Sequence, residues 1–126
     1  MEIKNFYDLD TWKDTHALTL EIYKITKGFP ADERFSLVSQ MRRSASSIGA
    51  NIAEGFGRFH FKEKIKFYQQ ARGSGAELQN HLLLAKDLGY LSEDVARKTL
   101  IDIDLVLKEI NGLIIAINKQ REKSKS

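Results

Sequence analysis

Residues 39–57 read SQMRRSASSIGANIAEGFG. Met41, Ala45, Ile48 and Ile52 fall three or four apart, the spacing of one apolar helix face. Leu37 extends that face upstream and Phe56 downstream. The rest of the stretch is small: Ser44, Ser46, Ser47, Gly49, Ala50, Ala53 and Gly55. A glycine inside a helix costs roughly 1 kcal/mol relative to alanine. Gly49 therefore predicts a close approach by another backbone. A companion segment, Ala71–Glu77, has the pattern AxGSxxE. Its two glycines, Gly73 and Gly75, predict that the helix carrying residues 39–57 crosses here.

Outward from this stretch the chain reads as four helices, at about 9–28, 35–56, 61–88 and 93–119. In the first, Leu9, Trp12, His16, Thr19 and Tyr23 form one stripe, and Leu18, Ile22, Ile25 and Phe29 a second. Gly28 ends it by adopting a left-handed conformation, and Pro30 by disfavouring helix before it. Residues 1–8 read as an irregular arm. The third helix carries Ile65, Tyr68, Ala71, Gly75, Leu78, Leu82 and Ala85 on one face, and Gly89 stops it. Ser92 caps the fourth, with Glu93 and Asp94 complementing the dipole. The fourth helix is apolar on several sides: Val95, Thr99, Ile103, Val106, Ile110, Leu113 and Ile117, then Leu100, Leu107 and Ile114, then Ile101 and Leu105. A monomeric bundle buries about a third of each helix surface. The excess predicts contact with a neighbouring subunit. Residues 119–126, KQREKSKS, read as a frayed basic tail. The expectation is one all-α domain over residues 1–126, an antiparallel up-down four-helix bundle.

Composition narrows the function classes. The chain has 126 residues and no cysteine, which excludes disulfides and fits a reducing cytoplasm. Its first residues lack the basic and apolar regions of a signal peptide. The longest apolar run, Leu113–Ile117, is far too short for a membrane span. No glutamate is followed three residues later by histidine, the pattern of di-iron bundles. His16, His60 and His81 are scattered; Glu77 and His81 lie one turn apart, a weak ligand set. Arg72-Gly73-Ser74-Gly75 lacks the first glycine of a nucleophile elbow. Gly55-Phe56-Gly57 reaches His60 where a dinucleotide loop needs its third glycine. No catalytic residue, metal or cofactor is expected, and the chain does not read as an enzyme.

The net charge of +3 is unevenly placed. Between Arg34 and Arg72 lie Arg34, Arg42, Arg43, Arg58, Lys62, Lys64, Lys66 and Arg72, against only Glu54 and Glu63. Two readings stand. In one, Asn51, Glu54 and Glu77 join arginines in a polar network that sets helix register. In the other, Arg42, Arg43, Arg58, Lys62, Lys66 and Arg72 bind the phosphates of RNA or DNA. Residues 58–72, RFHFKEKIKFYQQAR, interleave aromatics with cations. Phe67 and Tyr68 read as core, while Phe59 and Phe61 are placed to stack on bases.

The segments LDTWKDTHALTLEIYKIT, FP, SLVSQMRRSASSIGANIAEGFGR and KFYQQARGSGAELQNHLLLAKDLGYL together resemble the 23S ribosomal RNA intervening-sequence protein family. These are bacterial four-helix bundles, some encoded within insertions in 23S rRNA genes. The resemblance covers roughly residues 6–117. The family in turn is similar to the accessory variability protein of diversity-generating retroelements, which binds a reverse transcriptase and nucleic acid. The resemblance implies a homopentamer and no catalysis, and the basic surface adds RNA or a nucleoprotein as the expected partner. The alternative is a protein scaffold or accessory subunit for a reverse transcriptase or polymerase, without nucleic-acid binding of its own. The chain departs from the family at Phe59-His60-Phe61, where a polar capping residue is common.

Overall fold

A computed structural model describes residues 2–125. A 3-10 turn at Phe6–Asp8 precedes four helices, α1 (Asp10–Thr26), α2 (Leu37–Gly57), α3 (Phe61–Asp87) and α4 (Glu93–Lys125), and a second at Ala31–Glu33 joins α1 to α2. They form an all-α four-helix bundle, with no strand among the described residues. The first 3-10 turn tightens the expected irregular arm: the backbone N–H of Asn5 donates to Asp8 Oδ2 at 3.0 Å. Phe6 then packs edge-on against Trp12.

The core is drawn from every helix. Leu18 and Ile22 of α1 meet Met41, Ala45, Ile48 and Ile52 of α2. Tyr68, Leu78 and Leu82 of α3 and Ile103, Val106 and Ile110 of α4 complete it. The expected faces of α2 and α3 are the buried ones. In α1 the inward line is instead Thr11, Thr15, Leu18, Ile22 and Thr26. His16 and Tyr23, expected on a packed stripe, are exposed. Of these threonines, Thr26 satisfies its buried hydroxyl on its own helix, whereas the buried Thr15 Oγ1 has no hydrogen-bond partner among the described residues. Thr26 Oγ1 donates to the Ile22 carbonyl at 2.7 Å.

Two helix ends match their sequence signals. Gly89 has φ +82°. Behind it Tyr90 N donates to Ala85 O and Gly89 N to Lys86 O, which closes α3 in a Schellman turn. Ser92 Oγ accepts from Val95 N at 3.1 Å and caps α4. Two other ends differ. Gly89 is the one residue with positive φ among those described, so Gly28 does not end α1 by a left-handed turn. The helical backbone of α4 runs on to Lys125, through the segment expected to be a frayed tail beyond 119. Good helix formers and lysines near the negative end of the dipole favour that extension.

The expected crossing of α2 at Gly73 and Gly75 does not hold at the glycines: Gly73 has nothing within 4 Å and Gly75 lies closest to α4, and the tight approach is not at Gly49 either. A Cβ on Gly49 would lie 3.5 Å from Trp12 Nε1 and 3.6 Å from Thr15 Cγ2, at ordinary contact with side chains rather than backbone. Gly55 has no such room. Its Cβ would fall 2.7 Å from Tyr68 Cε1 and 3.2 Å from the Lys64 carbonyl oxygen. At Gly75 it would fall 2.5 Å from Leu107 Cδ2 of α4. The Ser47 and Ser74 hydroxyls, 2.9 Å apart, mark where α2 meets α3.

These contacts separate glycines that fill a need from those that only weaken a helix. Gly55→Ala forces a methyl into a buried ring, and is expected to destabilise by about 1–3 kcal/mol despite better helix propensity. Gly73 and Gly112 have nothing within 4 Å. Gly73→Ala should stabilise by roughly 0.5–1 kcal/mol. Urea unfolding of the two variants reads opposite signs if the α2–α3 contact is as described.

Candidate nucleic-acid interface

The paired arginines of α2 have different surroundings. Arg42 Nε donates to Thr26 Oγ1 at 3.0 Å, and its Nη2 donates to the Tyr23 carbonyl at 3.2 Å. Its guanidinium also lies 4.6 Å from the centre of the Tyr23 ring. Arg42 thus ties α2 to the carbonyl end of α1, where a cation is favoured by the helix dipole. One residue on, Arg43 points outward, with no side-chain partner among the described residues.

The polar residues do not assemble into one network. Asn51 Nδ2 donates to the Ser47 carbonyl at 2.9 Å and to Ser47 Oγ at 3.1 Å. Through the Ser47–Ser74 pair this chain of bonds links α2 to α3. Glu54 turns away and pairs with Arg58 at 3.1 Å, both exposed. Glu77 is also exposed, with Oε1 3.5 Å from Nε2 of the buried His81, too poorly placed to count as a hydrogen bond. Glu54 pairs locally with Arg58 and Glu77 stays near His81, so neither glutamate crosses to an arginine of the other helix.

The chain turns from α2 to α3 in three residues, Arg58, Phe59 and His60. Arg58 lies over the Phe67 ring at 4.7 Å. His60 precedes α3 without a side-chain capping bond. Lys64 bends back to close α2, with Nζ donating to the Phe56 carbonyl at 2.7 Å and the Gly55 carbonyl at 3.3 Å. Burial lowers its pKa from the ordinary lysine value. Lys64 is therefore a helix-end residue that the sequence shows only as one more cation.

Beside this turn, His60, Lys62, Glu63, Ile65, Lys66 and Gln69 of the turn and α3 line a groove with Arg121 of α4. Its volume is about 710 Å³. It exists because α4 continues past residue 119 and places Arg121 opposite α3. The signal for Arg121 was the helical step Ile110, Ile114, Ile117, Arg121 running unbroken into the tail. Further along the same helix pair, Arg72 Nη1 donates to Asn111 Oδ1 at 2.9 Å. Of the six expected phosphate ligands, Lys62 and Lys66 share the groove. Arg58 occupies the adjoining turn, Arg72 lies further along α3, Arg43 lies on α2, and Arg42 is engaged at the end of α1. Phe59 is 88% exposed, whereas Phe61 is half-buried. Among the described residues no group of three His, Cys, Asp or Glu is placed to hold a metal ion. No described helix is long and apolar enough to cross a membrane.

The seam between α1 and α4 has the opposite character. Asp14 and Glu21 of α1 face Asp102 and Glu109 of α4 across a cleft of about 420 Å³, and Lys98 bonds Asp102 at 3.1 Å. The Glu109 carboxyl is pushed up to about 7, by burial first and then by its hydrogen bond to Asp14 and the charges of Asp14 and Asp10. Its ordinary value is 4.5, so the folded chain holds a proton there that the unfolded chain releases. The stabilisation is fully present below the unfolded value and is lost as pH rises through about 7. Glu109→Gln removes the charge without shortening the side chain. Its melting temperature should exceed wild type at pH 8 and match it closely at pH 4; an equal difference at both would contradict the shared proton.

Comparison with protein families finds that residues 7–112 match the model for the 23S rRNA-intervening sequence protein. A crystal structure from Bacteroides thetaiotaomicron, described as a protein of unknown function from the S23 ribosomal protein family, superposes with a TM-score of 0.74. It is 21% identical, and the match covers 82% of this chain and 97% of that one. At that identity the likeness speaks for the fold alone. Comparison with the curated proteins finds no significant match. The family match spans most of the chain and includes α1, α2, α3 and most of α4, and so the chain belongs to the 23S rRNA-intervening sequence protein family.

Proposed function

We propose that this chain is a non-enzymatic, self-associating bundle that binds nucleic acid, with RNA the favoured class, through the α3–α4 groove. The observation that carries this reading is the set Lys62, Lys66 and Arg121. These three cations converge on one groove, and among the described residues none has an acidic side-chain partner. Glu63 offsets part of that charge. Arg43, Arg58 and Arg72 extend the positive surface beyond the groove.

Self-association is supported by α4. Ile101, Leu105 and Ile115 lie along one outward stripe, each more than half exposed. The family resemblance favours five copies. A second reading has its own support: Leu83, Leu84 and Leu88 are exposed near the C-terminal end of α3. On that reading the bundle is a scaffold for a protein such as a reverse transcriptase, with no RNA affinity of its own.

Fluorescence anisotropy with labelled RNA separates the two. Releasing counterions from three phosphates of a single strand gives a log–log salt slope near −2, at about 0.7 per contact. The triple substitution Lys62→Gln, Lys66→Gln, Arg121→Gln should flatten that slope. Wild type that fails to bind RNA at low salt, yet co-purifies with a protein partner, would favour the scaffold. Sedimentation tests assembly: wild type should exceed the 14.4 kDa of one chain, and Leu105→Lys with Ile115→Lys should shift it to monomer. Both side chains are exposed in the single bundle, so that double variant should keep its helical content.

A further inference from the structure

We infer that the α2–α3 turn and the groove beside it bind an unpaired strand, with Phe59 as a stacking platform for one exposed base. The inference rests on the nucleic-acid reading above and adds which form of nucleic acid the site takes.

Three observations carry it. Phe59 projects from a three-residue turn and is 88% exposed. Its ring stands T-shaped to that of His60, with centroids 5.3 Å apart, and it takes no part in the hydrophobic core. Lys62 begins the groove within one turn of α3, and Lys66 follows it on the same side. Four residues of helix advance about 6 Å, comparable with the distance between successive phosphates on an extended strand. Arg121 closes the far wall, and Ile65 supplies an apolar surface between the cations.

This combination suits a single strand better than a duplex. In a duplex the base faces are covered by their neighbours, and a lone ring on a turn has nothing to stack on. In an unpaired strand every base offers a face, and aromatic side chains next to a cationic track are how sequence-tolerant binders hold it. Duplex binding would need only the cations and would leave Phe59 idle. A protein partner would leave Lys62, Lys66 and Arg121 without counter-charges unless it were acidic at three matched positions.

The test uses two labelled RNAs of equal length, an oligouridylate and a blunt duplex, with the whole chain. Wild type should prefer the oligouridylate. Phe59→Ala should weaken oligouridylate binding about tenfold or more while leaving duplex binding unchanged. Phe59→Trp should restore it. Because Phe59 packs on nothing in the core, the melting temperature of both variants should equal wild type. Unchanged oligouridylate affinity in Phe59→Ala, or an equal loss on both RNAs, overturns the stacking site but leaves the cationic groove standing. No binding of either RNA by wild type at low salt overturns the groove as well.

Discussion

The bundle depends on how closely α2 can lie against α3. Gly55 packs its bare backbone on the Tyr68 ring and near the Lys64 carbonyl, and the Ser47 and Ser74 hydroxyls touch two turns away. A Cβ at Gly55 would push the two helices apart where Tyr68 is 2% exposed. Interiors are packed too densely to absorb such a shift locally. The same approach brings Lys64 within reach of the last carbonyls of α2. That contact shapes the three-residue turn, and the turn in turn presents Phe59. The position of the candidate site is thus a consequence of the small residues in the core.

The cations divide according to helix ends. Arg42 and Lys64 are both held against the carbonyl termini of helices, one on α1 and the other on α2. Carbonyls left over at a helix end are a local excess of negative charge, and a long basic side chain is the simplest way to satisfy them. Lys62, Lys66 and Arg121 hold no helix-end carbonyl and form no ion pair among the described residues, although Glu63 shares their groove. Their charge is left for something outside the chain. The acidic α1–α4 seam lies on other faces of the bundle, so a modest net charge conceals a strongly polarised surface.

α4 links these two faces. It runs for 33 residues against 17 in α1, so roughly half of its length has no α1 beside it. Near its start it meets α1 across the carboxylates. Near its end it stands opposite α3 and forms the wall of the groove. Of its exposed apolar residues, Ile101 and Leu105 lie beside the seam, Leu105 lining the cleft, and Ile115 lies further toward the C-terminal end. One helix thereby carries part of the core, part of the cationic groove and an apolar surface suited to a second copy.

Much of the fold was legible in the sequence because the helix period is a local property. The faces of α2 and α3, the Gly89 stop and the Ser92 cap all follow from spacing and from the conformational limits of single residues. The family motif lies largely on the same α2–α3 contact, so residues that set the packing also carry the resemblance. In α1 the stripe with Leu18 and Ile22 was legible, but the one with His16 and Tyr23 was misread because the inward Thr11, Thr15 and Thr26 look polar in one dimension. Which cation is engaged and which is free was not legible at all. Arg42 and Arg43 are adjacent and chemically identical, and so nearly are Lys62, Lys64 and Lys66. Only the tertiary arrangement decides that Arg42 and Lys64 reach a helix end while Lys62 and Lys66 meet Arg121, because those distances depend on how whole helices are placed against one another. The sequence by itself determined four helices, the packing faces of α2 and α3, and the family; the sorting of charge into structure and surface belongs to the fold.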